Sequence, residues 1–157
     1  MKQDQHTPYF GFGKTGMFPQ EEMLEVERKR SRLIIGIPKD NHQIEQRVSL
    51  TPEAVEILVN QGHEVIIEAG AGVPANYSDH AYSENGGFIV KEKEQVYQCD
   101  IILKISPLTD EEIDLLKGDQ ILFTNVNLPQ QDEEYFRSLM RKKVIAVAFE
   151  YLRGEDN

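Results

Sequence analysis

The chain contains a single cysteine, no tryptophan and few basic residues, with 17 lysines and arginines against 27 aspartates and glutamates. One cysteine excludes an internal disulfide and is typical of a reducing compartment, so we expect a cytoplasmic protein. The formal net charge of −10 argues against nucleic acid and anionic membranes as partners, because both would repel such a surface. No apolar run approaches the ~20 residues of a membrane-spanning helix, and the N-terminal residues lack the apolar core of a secretory signal.

Histidines are also few, and their spacing fits no metal-ligand pattern, so we expect no metal site (His6, His42, His63 and His80). A hydrophobic content of 39% with 28% charged residues places the chain among soluble globular proteins. Its 157 residues suffice for one domain with a core of its own.

Residues 1–32 are predicted to be an extension that precedes this domain. Residues 1–18 set four aromatic side chains among glycines and prolines, which predicts no regular element but makes association with a neighbouring subunit plausible. Residues 21–30 have acidic residues first and basic residues last, as expected of a short helix. No strand precedes the glycines at 11, 13 and 16, so they do not indicate a nucleotide-binding loop.

Residues 33–72 are predicted to form a strand–loop–helix–strand unit. The apolar run Leu33–Ile37 is the first strand, and Glu64–Glu68 is the second. Between them, Thr51 and Pro52 supply an N-cap and a first helical residue, and Gly62 ends the helix. Two strands joined in this way are parallel, with a right-handed crossover.

The remaining residues repeat this alternation of strands and helices. Further apolar segments begin near residues 88, 100, 120 and 144, and a capping box at 109–112 opens one of the intervening helices. A second helix, 132–142, has an apolar face formed by Tyr135, Phe136, Leu139 and Met140. The pattern predicts an α/β fold with a doubly wound, mostly parallel sheet, Rossmann-like or flavodoxin-like, over residues 33–152.

Several polar segments follow the carboxyl ends of these strands, where open α/β sheets bind ligands. The loop 38–51 is long and polar and carries Arg47, Lys104 follows a buried strand, and Asn125–Asn127 follows the next. The residues alone favour a Lys104 side chain that extends past the edge of the sheet into water. The alternative is a side chain directed into the crevice. Gly70–Gly72 is interpreted as a turn with positive φ angles in preference to a phosphate-binding loop.

Four blocks of the sequence resemble the N-terminal domain of the alanine dehydrogenase and nicotinamide nucleotide transhydrogenase family. They are IGIPKDNHQIEQRVSLTPEAVEILVNQGHEVIIEAGAG, DIILKISPLTDEE, GDQILFTNVNLPQQDEEYF and VIAVAFEYL. The resemblance implies that NAD binds to a further domain, that the substrate is a small keto or amino acid such as pyruvate or alanine, and that the full-length protein is a homo-oligomer.

The resemblance also implies roles for three residues. Arg47 matches the arginine that binds the substrate carboxylate, and Lys104 matches a lysine that contacts substrate oxygens. Asn127 occupies the catalytic position where alanine dehydrogenases have a histidine proposed to donate and accept a proton, and an amide does not titrate near neutral pH. Lys104 is the other catalytic candidate, because a lysine could take the proton instead if its pKa were lowered in the site. Transhydrogenases lack that histidine too, so Asn127 weakens the alanine assignment specifically.

We therefore expect a fragment of a longer protein, in which residues 153–157 begin the link to a dinucleotide-binding domain. The leading function is substrate binding in an alanine dehydrogenase that converts L-alanine, NAD and water to pyruvate, ammonia and NADH. The alternatives are a transhydrogenase alpha-subunit domain and a non-catalytic ligand-binding or assembly module. We also expect Arg47 and Lys104 to approach each other across the crevice.

Overall fold

The computed structural model describes residues 32–41 and 43–154. The extended segment 1–18, the helix predicted at 21–30 and the final residues 155–157 lie outside the described residues. None of the described helices is long and apolar enough to cross a membrane. The six strands are β1 Ile34–Ile37, β2 Glu64–Glu68, β3 Phe88–Val90, β4 Ile101–Leu103, β5 Ile121–Thr124 and β6 Ile145–Ala148. The helices are α1 Pro52–Asn60, α2 Asp79–Glu84, α3 Lys93–Val96, α4 Asp110–Leu115 and α5 Glu133–Arg141.

The strands form one parallel sheet in the order β3-β2-β1-β4-β5-β6, which confirms the predicted doubly wound α/β fold. This is the Rossmann order and not the flavodoxin order, two possibilities that the sequence left open. The order reverses between β1 and β4, whose ladder pairs Ile35 with Ile101 and Gly36 with Ile102. The loops that leave these two strands therefore flank the switch point, where ligands bind in folds of this type.

Local signals in the sequence set the helix ends. The Thr51 hydroxyl accepts a hydrogen bond from the backbone N–H of Ala54 at 3.4 Å, and Pro52 is the first residue of α1. At α4, the Thr109 hydroxyl accepts from the N–H of Glu112, whose carboxylate accepts from the N–H of Thr109. The predicted capping box is thereby confirmed.

Hydrophobic clusters on the two faces of the sheet hold the helices in place. One cluster joins Val55 of α1 and Tyr82 of α2 to inward residues of β1 and β2. The other joins Ile113 of α4 and Leu139 of α5 to residues of β4 and β5. The buried Tyr82 hydroxyl donates a 2.7 Å hydrogen bond to the carbonyl of Leu50, so the second half of the long loop is attached to the first cluster.

Two details differ from the sequence prediction. Met140 is 74% exposed, because it lies beyond the stripe through Tyr135 and Leu139 that α5 buries. In the turn after β2, φ is +78° at Gly70 but −85° at Gly72, so only the first of these two glycines needs a left-handed backbone.

Gly36 gives a direct test of the packing between β1 and α3. A β-carbon at this position would lie 2.5 Å from the carbonyl oxygen of Val96 and 3.1 Å from the sulfur of Cys99. We expect Gly36→Ala to lower the free energy of unfolding by about 1–3 kcal/mol, because the backbone must shift to admit the methyl group. Urea denaturation measures the change, with Gly154→Ala as the control since a β-carbon there has open space. Equal midpoints for the two variants would contradict the packing described.

Candidate substrate site at the carboxyl edge of the sheet

The loop between β1 and α1 is fastened to the end of β4 at two points. Near its start, the Asp40 carboxylate accepts hydrogen bonds from the backbone N–H groups of Ile105 at 3.1 Å and Ser106 at 3.2 Å. Near its end, the Ser49 hydroxyl donates to the carbonyl of Leu103 at 2.7 Å. Arg47 lies two residues before Ser49, so its backbone is held at the same edge of the sheet as Lys104.

Lys104 is buried, with 5% of its surface exposed, so the interpretation that its side chain reaches water is wrong. Its ammonium lies 3.1 Å from the carboxylate of Glu112, 3.3 Å from the carbonyl of Pro107 and 3.5 Å from the carboxylate of Asp40. A buried ammonium is costly unless oxygens replace its hydration, and these three partners supply them. We call Asp40, Lys104 and Glu112 the charge cluster.

Arg47 is exposed over 67% of its side chain and is engaged by Glu45 of the same loop. Its guanidinium donates to both carboxylate oxygens of Glu45, at 2.8 Å from Nε and 2.7 Å from Nη2. These hydrogen bonds lower the pKa of Glu45 to about 2 and raise the pKa of Arg47. Because the contact is the two-pronged geometry of arginine–carboxylate recognition, Glu45 shows how a substrate carboxylate would meet this side chain.

Asn127 follows β5 with a left-handed backbone, at φ 50° and ψ 54°. Its N–H donates to the carboxylate of Glu150 at 2.9 Å, and its side-chain amide donates to Gln130 at 2.6 Å. Asparagine and histidine are both enriched among the non-glycine residues that adopt this conformation. The backbone at this position therefore suits an amide or an imidazole equally.

Lys104 lies between two clefts at this edge of the sheet. A cleft of about 350 Å³ brings Lys104 together with Asn127, with polar side chains around them (Asn41, Ser106, Thr109, Gln130 and Gln131, beside Ile44 and Pro107). A cleft of about 310 Å³ on its other side is mainly apolar (Ser49, Leu50, Leu103, Ile105, Phe123 and Phe149). Arg47 is not among the described residues that line these two clefts. Its approach to Lys104 therefore stays a prediction. The place after a strand, which selected Lys104 and Asn127 in the sequence, applies equally to Ser106 after β4 and Phe149 after β6, two lining residues that the sequence prediction missed.

The turn after β2 has a structural role. The N–H of Gly70 donates to the carboxylate of Asp79 at 2.8 Å, and a β-carbon on Gly72 would lie 2.5 Å from the ring of Tyr82. Val73–Ala75 then forms a 3-10 turn where a dinucleotide-binding loop would open a helix. These contacts explain the glycines without a phosphate, in agreement with their interpretation as a turn.

A sequence model described as "Alanine dehydrogenase/PNT, N-terminal domain" matches residues 36–157. The chain belongs to this family. It is 40% identical to the alanine dehydrogenase of Staphylococcus saprophyticus over 124 residues, which cover 79% of this chain and 33% of that protein. Against the alanine dehydrogenase of Bacillus subtilis it is 36% identical over 119 residues, which cover 75% of this chain and 31% of that protein.

Two solved structures show the same fold as this member of the alanine dehydrogenase/PNT family. An L-alanine dehydrogenase superposes with a TM-score of 0.74 at 33% identity, over 79% of this chain and 34% of that one. A transhydrogenase from Sinorhizobium meliloti gives a TM-score of 0.70 at 25% identity, over 76% of this chain and 36% of that one. The chain thus spans about a third of the length of the relatives it matches. The family is one of NAD-linked oxidoreductases.

The charge cluster of this family member makes Lys104→Met strongly destabilising. The substitution leaves two carboxylates near each other without a cation, and we expect the free energy of unfolding to fall by about 3–5 kcal/mol. Lys117→Met is the control, because Lys117 pairs with Asp100 at 2.9 Å where both side chains are partly exposed. That variant should lose less than about 1 kcal/mol in the same urea denaturation experiment. Similar losses in both variants would show that the cluster contributes no more than a surface pair.

The Arg47–Glu45 pair predicts a measurable titration. Because the pKa of Glu45 is lower in the folded state, the stability from this pair is present above the ordinary pKa of 4.5 and is lost as pH falls toward about 2. In Arg47→Ala the pKa of Glu45 should rise toward 4.5, since the cation that lowers it is gone. Carboxyl-carbon NMR titration of both proteins measures the shift. A Glu45 pKa that stays near 2 in the variant would rule out Arg47 as its cause.

Proposed function

We propose that this chain is the substrate-binding domain of an alanine dehydrogenase-like oxidoreductase that interconverts L-alanine and pyruvate with NAD. The proposal is supported chiefly by the cleft that holds Lys104 and Asn127 at the carboxyl edge of the sheet, beside the loop that carries Arg47. It is consistent with the alanine dehydrogenases among the chain's relatives. A cytoplasmic location and a homo-oligomeric full-length protein stay predictions.

The described residues do not fit the pyrophosphate of NAD. A dinucleotide-binding loop needs free backbone N–H groups at the start of a helix, and the Gly70 N–H is taken by Asp79. In this proposal NAD, which supplies the hydride chemistry, belongs to a further domain of the full-length protein. The role of the chain described here is to bind and orient the organic acid.

Arg47 binds the substrate carboxylate in this proposal by exchanging Glu45 for it. The Arg47 side chain is 67% exposed, whereas that of Glu45 is 14% exposed, so an incoming carboxylate can reach the guanidinium. The exchange preserves the two-pronged hydrogen bonding and so requires little new geometry. Arg47 is therefore the residue on which affinity for the acid depends most.

Lys104 and Asn127 orient the rest of the substrate from the polar cleft. The hydrogen bond from Lys104 to the carbonyl of Pro107 is long, at 3.3 Å, and its proton can turn to a substrate carbonyl oxygen while the two carboxylates keep the charge compensated. The Asn127 amide can exchange Gln130 for the same ligand. Neither step transfers a proton to or from Asn127, because an amide is not an acid–base group at neutral pH.

Asn127 is also the observation that favours a second candidate function. A domain with the binding residues but without the histidine of alanine dehydrogenases suits a transhydrogenase-type subunit or a non-catalytic module that binds a small acid. The likeness to the Sinorhizobium meliloti transhydrogenase structure is compatible with the first of these. Both candidates keep the cleft and omit proton transfer by the residue at position 127.

Titration of the full 157-residue chain with pyruvate, followed by NMR, tests the proposal. We expect the amide signals of residues 104–106 and 125–127 to shift, and Arg47→Ala to weaken binding at least about tenfold because a charge-assisted contact is lost. Arg137→Ala is the matched control, since Arg137 is a similarly exposed arginine that pairs with Glu133 at 2.7 Å on α5. It should bind pyruvate as the wild type does.

Two results would decide against the proposal. Equal affinity in wild type and Arg47→Ala would remove Arg47 from the site. Shifts confined to residues far from the carboxyl edge would remove the cleft itself. Binding of pyruvate without L-alanine dehydrogenase activity in the full-length protein would support the non-catalytic candidate instead.

A further inference from the structure

We propose that Asp40 is a positioning residue, which holds the loop carrying Arg47 against the segment carrying Lys104 so that both serve one ligand. The ligand in this inference rests on the function proposed above. The holding contact itself does not, because it is a feature of the protein without any ligand. The two parts can therefore be tested separately.

The contacts of Asp40 are those of a structural carboxylate. The side chain is buried, and one oxygen accepts from the N–H of Ile105 at 3.1 Å. The other oxygen accepts from the N–H of Ser106 at 3.2 Å and lies 3.5 Å from the ammonium of Lys104. Three donors thus converge on one carboxylate, two of them from a backbone segment that is 65 and 66 residues away in sequence. Charge-assisted hydrogen bonds of this kind are stronger than neutral ones.

Asp40 acts where the sheet itself no longer joins the two segments. The ladder between β1 and β4 ends at the pair of Gly36 and Ile102, and beyond it the chains separate to open the crevice at the switch point. Asp40 lies four residues past Gly36 and binds the backbone three and four residues past Ile102. Its side chain therefore replaces the missing ladder bonds and limits how far the crevice can open.

Lys104 extends this connection to α4. Its ammonium contacts Asp40 on one side and Glu112 on the other, and Glu112 also caps the N-terminus of α4. Loss of the Asp40 charge removes one of the two carboxylates that compensate Lys104, and it deprives the N–H groups of Ile105 and Ser106 of a charged acceptor. Asp40 thus acts on the site through Lys104 and through the loop, without touching the substrate.

Hydrogen exchange of the ligand-free chain tests the holding contact. We expect Asp40→Asn to speed the amide exchange of Ile105 and Ser106 at least about tenfold, because each loses a charged acceptor, and to speed exchange in the loop 43–50 with them. Strands far from the crevice should exchange as in the wild type. Asp114→Asn is the control, since Asp114 is an exposed carboxylate on α4. Unchanged exchange at Ile105, Ser106 and the loop would overturn the proposal.

Pyruvate affinity tests whether the contact positions Arg47. We expect Asp40→Asn alone to weaken binding about tenfold, but to add clearly less than this in an Arg47→Ala background, because the part of its effect that acts through Arg47 is already lost there. If Asp40 had only a structural role, the double variant would lose pyruvate affinity by the product of the two single losses. That result would overturn the proposal. If the wild type fails to bind pyruvate, the proposed function fails, and the exchange experiment alone decides whether Asp40 holds the loop.

Asp40→Glu provides the same comparison if Asp40→Asn does not fold. It keeps the charge but displaces the carboxylate by one methylene in a buried site. We expect faster exchange at Ile105 and Ser106 together with weaker pyruvate binding. Wild-type values of both quantities would show that the position of the carboxylate is unimportant and would overturn the proposal.

Discussion

The arrangement of the carboxyl edge depends on one buried ammonium, that of Lys104, between the carboxylates of Asp40 and Glu112. Taking a lysine charge out of water is unfavourable, and it is tolerated here because each of its neighbours is fixed by further hydrogen bonds. Asp40 is fixed by the backbone after β4, and Glu112 by the cap of α4. The cluster therefore ties together the loop after β1, the end of β4 and the start of α4.

The topology of the sheet explains why such a connection is needed at this place. With the order β3-β2-β1-β4-β5-β6, the chain leaves β1 and β4 toward opposite sides of the reversal point, and a crevice opens between the two loops. No ladder bond can cross that crevice, so side chains must. Asp40 and Ser49 do so from the two ends of one loop, and the segment between them carries Arg47 without being part of either connection.

Features that depend on nearby residues were predictable, and those that depend on distant ones were not. The helix starts at Thr51 and Thr109 follow from a few consecutive residues, and both are confirmed. The strand order depends on which strands pair, and apolar runs of four or five residues do not specify this. The burial of Lys104 depends on Asp40, far away in sequence, and on Glu112 in the first turn of α4, so the residues next to Lys104 alone favoured a side chain in water. The prediction for Met140 is wrong for a simpler, local reason. Met140 lies five residues after Tyr135, and at 3.6 residues per turn this spacing places it outside the buried stripe.

The two cations of the candidate site are compensated to different degrees, and this difference assigns them different tasks. Arg47 pairs with a single carboxylate and keeps 67% of its side chain exposed, so an incoming carboxylate can compete for it. Lys104 is enclosed by two carboxylates and a carbonyl, so its charge is already compensated, and it can redirect one hydrogen bond to a substrate oxygen. Asn127 adds a hydrogen bond but no titratable group. Attraction of an anion and its orientation can thus both be supplied by these residues, whereas proton transfer requires a titratable group, which the amide of Asn127 is not.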